Sequence, residues 1–356
     1  MMSRRPLASR AVYAAKWSVA QLLYRTGVLG LLAASRLRGR VVVLMYHRVL
    51  EPDAEATAWS HPAIVVRRVT FERQMAKLAA RFRMLSLDEF ETFLERGASA
   101  ADAPPGCLVT FDDGWIDTYR DAWPVLKAQR IPAVVFLPTQ FIGADRMFWR
   151  EALGRLLFDV WTHARTDPAF AARATSTLQP HGLSGLLQRA PSDIRDAILQ
   201  ATQGLRHQGE AEAPAILAQV QALSAEIARG ATSDSFMDWA QVREMAAAGI
   251  AFGGHGVTHR ILSTLPVPVA THEVAASRAA ISTGLGGPVS SFSYPNGGWN
   301  ADVARAVGES GFRVAFSTDI GPVGPDADRL AIRRFNVHED ATRSWPMFLA
   351  RLSGVL

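Results

Sequence analysis

Two adjacent carboxylates, Asp112 and Asp113, follow a short apolar run and precede a glycine. The run, 107–111, combines apolar residues with a β-branched threonine, which is typical of a short buried strand. Side chains alternate along a strand, but Gly114 allows a sharp turn that can bring both acids into one crevice. Two carboxylates this close need a cation or a shared proton. Taken alone, Asp-Asp-Gly is equally typical of an ordinary turn.

Two histidines, His255 and His259, follow a second apolar run that ends in glycines. Histidines four residues apart lie on one face if their segment is helical, as two ligands of one metal ion require. A lone pair of this kind is more often a surface or core feature than a metal site. Together with the two carboxylates the pattern is specific, because two imidazoles and one carboxylate form a three-ligand site with an open position for water. The second carboxylate is then available as a base.

These motifs resemble the polysaccharide deacetylases, the family of NodB-homology domains and carbohydrate esterase family 4. The matching segments are 110–114, 255–259 with 262–265, and 292–297. The resemblance covers 41–150 and 236–345, and the Ser-Tyr-Pro-Asn-Gly form of the third segment is similar to that of exopolysaccharide-locus members.

The resemblance implies a distorted (β/α) barrel that hydrolyses an N-acetyl group with a divalent metal, commonly zinc. It implies Asp113, His255 and His259 as metal ligands and Asp112 as the general base. Zinc lowers the pKa of a water ligand to about 7. A backbone N–H near Asn296 is expected to bind the oxyanion. The substrate implied is an N-acetylated amino sugar of a polysaccharide or a lipid-linked glycan.

Two positions depart from the usual family pattern. The third motif of the family commonly carries an arginine that braces the catalytic aspartate and a tyrosine whose backbone N–H binds the oxyanion. Here these positions are Ser293 and Asn296. The brace on Asp112 must then come from elsewhere in the chain, and Arg333 and Arg334 are the candidates.

A histidine is expected to protonate the departing amine, because an unprotonated amine is a poor leaving group. The family's last motif supplies a histidine after a strand, and His338 stands in a comparable place, although the local match is weak. His47 is the second candidate, since it follows the apolar run 40–46 and barrel sites form at the carboxyl ends of strands. A histidine bonded only to backbone is the alternative for His47.

The order of elements predicts an α/β protein, a distorted (β/α)7 TIM-like barrel with an all-helical insertion and an N-terminal helix. Apolar runs alternate with amphipathic stretches in 41–150 and in 236–356, as in a parallel sheet covered by helices. The last strands are expected at 312–317 and 330–335. Between these halves, 151–235 has helical periodicity and no strand candidate, which predicts a helical insertion over one rim, as a lid or a docking surface.

Residues 1–40 are expected to form a basic amphipathic helix over 11–35. Lys16 and Arg25 interrupt it, so it lacks the ~18 consecutive apolar residues of a spanning helix. No compact apolar core with a cleavage site indicates a signal peptide. Its predicted apolar face consists of Tyr13, Trp17, Ala20, Tyr24, Val28 and Leu31. This face is expected to lie on an anionic membrane surface, or against the barrel or a partner, which predicts a location in the cytoplasm or at the inner membrane.

Composition narrows the partners further. The chain has 356 residues, of which 49% are apolar and 20% charged, enough for the core of one barrel with insertions. Its single cysteine, Cys107, rules out an internal disulfide. The net charge of +5 is mild and its basic residues are dispersed, which does not indicate nucleic acid as a partner.

Two alternatives to an N-deacetylase stay open at this point. One is a metallohydrolase of the same fold that acts on a non-sugar amide or an O-acetyl ester. The other is a catalytically silent glycan-binding member. The presence of both carboxylates and both histidines argues against the silent member, because a binding module has no need for a spare carboxylate.

Overall fold

The structure is a computed structural model that describes residues 7–97, 104–205, 213–225 and 236–356. The strands in this part of the chain are β1 Val41–Tyr46, β2 Arg48–Leu50, β3 Val65–Arg67, β4 Arg83–Met84, β5 Gly106–Phe111, β6 Ala133–Leu137, β7 Ala251–Gly254, β8 Ser291–Ser293, β9 Val314–Phe316 and β10 Phe335–Asn336. The α-helices are α1 Leu7–Arg25, α2 Val28–Arg36, α3 Pro52–Thr57, α4 Arg68–Ala79, α5 Leu87–Arg96, α6 Trp123–Gln129, α7 Trp149–Ala164, α8 Pro168–Leu178, α9 Ile194–Leu205, α10 Ala213–Ser224, α11 Trp239–Ala247, α12 Val267–Leu285, α13 Ala301–Glu309, α14 Glu339–Thr342 and α15 Trp345–Leu352.

One all-parallel sheet organises the barrel. Its strand order is β10-β1-β5-β6-β7-β8-β9, and β4 pairs with the beginning of β5. Every residue of β1 and β5 is buried, which explains why both read as continuous apolar runs rather than alternating patterns. Helices follow most of the strands, and α5 begins with a capping box in which Ser86 and Glu89 bond each other's backbone.

The register of the strands places their carboxyl ends at one edge of the sheet. The paired residues there are Tyr46 with Phe111, Leu137 with Gly254, and Ser293 with Phe316. The residues that directly follow β1, β5 and β7 are His47, Asp112 and His255, so the register brings these three positions to the same edge.

The sheet curls back toward its first strands through the segment 330–334. Ile332 forms one parallel bridge with Phe316, and β10 then pairs with β1. The fold-class prediction of an α/β distorted barrel is confirmed. The predicted strand over 330–335 is wrong in extent, because the N–H of Arg334 bonds Asp319 O and the chain leaves the ladder before β10.

The prediction of one helix over 11–35 is wrong. The chain forms α1 and α2 instead, separated at Gly27, whose φ of 79° is left-handed and ends the first helix. Helix α1 packs on α15 with Ala20 buried, so part of the predicted apolar face lies against the protein. Across the described residues, we find no helix with the length and apolar character needed to cross a membrane.

The contacts divide the chain into two compact units. One holds the barrel with α1 and α2. The other comprises Ala56–His61 and Arg146–Asp234, of which 206–212 and 226–234 lie outside the described residues. Its helices α7 to α10 share a core of their own, with Leu153, Phe170 and Ile198 at its centre. That 151–235 is an insertion over one rim of the barrel stays a prediction.

Residues 56–61 join the helical unit rather than the barrel unit to which their place in the sequence assigns them. The ring of Trp59 lies 5.4 Å from that of Phe158, centroid to centroid, and the Arg195 guanidinium lies 4.8 Å from the Trp59 ring. A bulky aromatic anchor of this kind explains why a short segment leaves its sequence neighbours.

Candidate metal centre and active site

The turn that follows β5 separates the two aspartates. The N–H of Asp112 still bonds Tyr46 O at 2.9 Å, whereas Asp113 has a φ of 76° and Gly114 a φ of 67°. The turn therefore begins on Asp113 itself, one residue earlier than expected from the sequence, and aspartate tolerates this left-handed conformation better than most residues. A side chain at Gly114 would also meet Leu137, since an added Cβ lies 2.8 Å from Leu137 Cδ2.

Asp113, His255 and His259 each direct one ligand atom to the same point, within 4.8 Å of one another. Asp113 Oδ1 lies 3.4 Å from His255 Nε2 and 3.1 Å from His259 Nε2. This oxygen is buried and has no hydrogen-bond partner among the described residues. A buried lone-pair oxygen between two imidazole nitrogens is a donor set suited to a divalent cation such as zinc.

Burial raises the pKa of Asp113, but the charge of His259 and contacts with both histidines outweigh burial and hold the pKa well below its usual value. Burial likewise opposes the charged form of His255, yet the neighbouring aspartates raise its pKa above the usual value. The two shifts have one cause, the contact between a carboxylate and imidazoles in a buried pocket, where each group favours the charged form of the other. An ionised carboxylate beside two imidazole nitrogens is a donor set that fits the metal that the resemblance implies.

Hydrogen bonds orient two of these side chains. His255 Nδ1 donates to Ser293 O at 2.7 Å, which turns Nε2 toward Asp113. Trp115 Nε1 donates to Asp113 Oδ2 at 2.9 Å. The Trp115 ring is held in turn by stacking on Phe236 and by the Arg48 guanidinium 4.2 Å from its centroid. One oxygen of Asp113 is thus occupied, and the other is left for a cation.

The segment between the two histidines is a loop, so the pair meets without the helix that would place residues four apart on one face. His259 returns toward His255 through left-handed conformations at Gly256, with φ 73°, and at His259 itself, with φ 60°. Glu273 of α12 holds the loop in this shape. Its Oε2 accepts from the N–H groups of Val257 and Thr258 at 2.8 and 2.9 Å, and its Oε1 accepts from Thr258 Oγ1 at 2.7 Å.

Glu273 was not identified from the sequence, although a signal exists. The buried stripe of α12 consists of Ala270, Glu273, Val274, Ser277 and Ile281. An acid on the buried stripe of a helix is uncommon unless it is paired, so its position indicates a structural or functional partner.

Asp112 is bound by the fully buried guanidinium of Arg334 in a two-pronged contact. Arg334 Nη1 lies 2.7 Å from Oδ1, and Nη2 lies 2.8 Å from Oδ2. The same guanidinium donates to Ser293 Oγ, Thr110 Oγ1 and Ser317 O. Of the two candidate braces Arg334 makes this contact, while the neighbouring Arg333 is exposed.

Ser293 therefore supports Asp112 from the position where the family commonly has an arginine, because its hydroxyl contacts both Arg334 and Asp112. Burial raises the pKa of Asp112, but the charges of Arg334 and of nearby histidines outweigh burial and hold the pKa below its usual value. Asp112 is thus kept as a carboxylate without the help of a metal.

The two candidate acids occupy different places. His47 Nε2 lies 4.0 Å from Asp112 Oδ2, and His47 Nδ1 is buried without a hydrogen-bond partner among the described residues. Burial lowers the pKa of His47, against the opposing effect of the two aspartates. His338 instead lines a cavity of about 290 Å³ with Tyr13 and Lys16 of α1. The structure thus brings His47 to the carboxylates and places His338 in the lining of this cavity.

Asn296 lies in a tight turn directly after β8, with a φ of 54°. The next two N–H groups, of Gly297 and Gly298, bond Tyr294 O and Pro295 O, and neither bond occupies the N–H of Asn296. In the part of the chain that the structure describes, four residues other than glycine have positive φ: Asp113, Arg130, His259 and Asn296. Three of these are candidate site residues, and such strain concentrates at functional sites.

The family model for polysaccharide deacetylases matches residues 101–315, more than half of the chain. The chain therefore belongs to the polysaccharide deacetylase family, and the resemblance inferred from the sequence motifs is confirmed.

Individual relatives are more distant. The YxkH protein of Bacillus subtilis (strain 168), which is described as a polysaccharide deacetylase, is 28% identical over 120 residues, which is 32% of this chain and 37% of YxkH. The solved deacetylase PplD of Streptococcus pyogenes, in complex with acetate, superposes with a TM-score of 0.56 at 17% identity, over 88% of this chain and 99% of that chain. IcaB from Ammonifex degensii gives 0.54 at 21% identity, over 88% and 96%. Both structures show that the barrel fold is shared.

Proposed function

We propose that this protein removes N-acetyl groups from the amino sugars of a polysaccharide or a lipid-linked glycan and that the reaction depends on a divalent metal, zinc. The observation that carries the proposal is the pair of adjacent carboxylates with different surroundings. Asp113 meets His255 and His259 at an oxygen without a hydrogen-bond partner among the described residues, and Asp112 is held by Arg334. Membership of the polysaccharide deacetylase family supports acetyl removal from a glycan.

Asp113, His255 and His259 would hold the metal. A zinc ion bound there supplies a Lewis acid and lowers the pKa of water to about 7. The hydrogen bonds from Trp115 and to Ser293 O keep the ligand atoms turned toward this position, which limits the reorganisation that binding requires.

Asp112 serves as the general base. Its oxygens each accept from Arg334, but a carboxylate oxygen has a second lone pair that can take a proton from the attacking water. Hydroxide adds to the acetyl carbonyl carbon, and the N–H of Asn296 donates to the resulting oxyanion. Arg334 fixes the direction of the base, because a two-pronged contact allows little rotation.

His47 serves as the general acid. As the C–N bond breaks, His47 donates its proton to the departing nitrogen, and the products are acetate and a free amino sugar. The base has then gained one proton and the acid has lost one. The 4.0 Å between His47 Nε2 and Asp112 Oδ2 is short enough for a bridging water to return the proton and restore both groups.

Acetate release from purified protein tests the proposal. N-acetylglucosamine oligomers should yield acetate and free amines in equal amounts, a chelator should stop the reaction, and added zinc should restore it. O-acetylated oligomers of the same length form the control. Acetate release from the O-acetylated oligomers alone would show an esterase instead, and release that persists after removal of the metal would contradict the proposed metal dependence.

A further inference from the structure

Positive charge is concentrated at the beginning of the chain. The first 50 residues contain nine lysines and arginines and no aspartate or glutamate. Subtracting these nine from the 38 basic residues of the chain leaves 29, against 33 acidic residues in the remainder. Five of the nine are described as exposed: Lys16, Arg25, Arg36, Arg38 and Arg40. None of these five forms an ion pair with a carboxylate of the described residues, although Arg36 Nη1 donates to Ser353 O and Gly354 O.

Helices α1 and α2 also expose apolar side chains. Val12, Val19 and Leu22 of α1 and Val28 and Leu31 of α2 are 40–74% exposed, and we call these five residues the N-terminal face. On α1 the spacing of 7 and 10 residues places the three side chains on one side of the helix. The buried residues of the two helices, among them Ala20 and Leu29, pack against the protein, whereas the N-terminal face is exposed, as is Trp17 on another side of α1.

A basic cavity of about 290 Å³ lies between α1 and α15, beside the N-terminal face. Val12 belongs to the N-terminal face and also lines the cavity. Lys16, His338 and Arg351 supply the polar lining, and no acidic side chain is among the described residues that line the cavity. Arg351 Nε is buried and has no hydrogen-bond partner in the described part of the chain, and burial lowers its pKa. Arg351 is half-buried, and an anion in the cavity would pair its charge and supply a partner for Nε.

We propose that the N-terminal face binds the surface of a membrane that contains anionic phospholipid, with a lipid phosphate entering the cavity beside Lys16 and Arg351. Exposed apolar side chains enter the boundary between headgroups and acyl chains, while surrounding cations meet anionic headgroups. The charge distribution argues against a second copy of this chain as the occupant. Two such faces would bring like charges together with no carboxylate from the first 50 residues to offset them.

Co-sedimentation of the full chain with lipid vesicles is the test. The protein should sediment with vesicles of phosphatidylcholine and phosphatidylglycerol and remain largely in solution with phosphatidylcholine alone. Raising the salt concentration should release it, because the electrostatic part of the binding is screened. Failure to sediment with the anionic vesicles, or equal sedimentation with both kinds, would overturn the proposal.

Paired variants separate the apolar contribution from general charge. Val19→Glu/Leu22→Glu should weaken vesicle binding by about tenfold or more, because burial of either apolar side chain in the membrane raises the affinity by at least about tenfold. Val69→Glu/Val269→Glu changes net charge equally at positions that are 56% and 40% exposed on α4 and α12, and it should bind like the wild type. Equal weakening in both pairs would show that only net charge matters and would contradict the role of the face.

The cavity has its own pair of variants. Arg351→Gln should reduce the preference for anionic vesicles more than Arg343→Gln, which removes the same charge at an exposed position. Circular dichroism shows whether each variant remains folded, and this second pair tests the proposal even if the first loses stability. Light scattering tests whether a second copy of this chain covers the N-terminal face instead. A wild-type dimer that dissociates in Val19→Glu/Leu22→Glu would make the face a contact between copies and would overturn membrane binding.

Discussion

Asp112 and Asp113 are neighbours in sequence and almost equally buried, at 3% and 4% exposure, yet their surroundings are opposite. Both oxygens of Asp112 accept hydrogen bonds, Oδ1 from Arg334 and Oδ2 from Arg334 and Ser293. Asp113 has one oxygen bonded to Trp115 and the other facing two imidazoles without a hydrogen bond. A carboxylate that the protein already neutralises is available as a base, whereas one with an unsatisfied oxygen is prepared for a cation. The contrast arises because the backbone turns left-handed between the two residues.

The largest effect is expected from removal of a ligand on the Asp113 side. His255→Ala should lose nearly all bound metal and all measurable acetate release. Loss of a residue that only supports a ligand already costs ~10–100-fold in affinity, so loss of a ligand should cost at least as much. Elemental analysis of purified protein gives the metal content. His272→Ala, at an exposed position on α12, is the matched control, and equal metal in both variants would refute the ligand assignment.

Asp112→Asn tests the other side of the comparison. Metal content should stay near that of the wild type, while the rate of acetate release falls by ~10²–10⁴-fold, the usual contribution of a general base. Asp113→Asn should instead lower the metal content, and its rate of acetate release should fall because the metal is lost. If Asp112→Asn removes the metal and Asp113→Asn spares it, the two roles are exchanged.

Arg334→Lys should act on the base while leaving the metal in place. Lysine keeps the charge but loses the two-pronged contact, so we expect a rate lower by about tenfold. Since Arg334 holds the pKa of Asp112 down, a weaker contact should raise that pKa, and activity should be lost at a higher pH on the acid side of the rate profile. Arg333→Lys is the exposed neighbour control, and an unshifted profile in Arg334→Lys would argue against the brace.

The smallest of these effects is expected at Glu273, which touches neither the metal position nor Asp112. Glu273→Gln should weaken metal affinity by about tenfold, because the loop that returns His259 loses part of its support. Excess zinc should then restore the rate, which separates positioning from a general loss of structure. The exposed Glu309→Gln is the control, and a rate that excess metal does not recover would place the defect elsewhere.

The sequence was most informative about the site where the residues concerned lie within short contiguous motifs. The two motifs with Asp112, Asp113, His255 and His259 are contiguous, so their types and spacing indicate a metal site before any fold is known. The α/β barrel follows in the same way from the alternation of buried strands and helices. Boundaries were less secure: the strand predicted over 330–335 shrinks to two residues because the backbone departs from the sheet at Arg334.

What the sequence could not decide depends on contacts between distant segments. Arg333 and Arg334 differ by one position, and one position in an extended chain reverses the direction of the side chain. The choice between His47 and His338 depends on how far each side chain lies from Asp112, a contact between distant segments. Likewise, nothing in the sequence around Trp59 indicates that its ring packs against Phe158, about a hundred residues later in the chain. In each case the deciding information is tertiary packing rather than composition or periodicity.

The contact between Asp112 and Arg334 spans 222 residues of sequence, which has a consequence for folding kinetics. Closing so long a loop is slow, and contacts of this separation form late. Until Arg334 arrives, Asp112 is a carboxylate at the end of an apolar strand with no guanidinium to neutralise it. A ribosome releases the first half of the barrel before it makes the arginine, so this strand end stays hydrated in the nascent chain until Arg334 has been synthesised and can close the barrel.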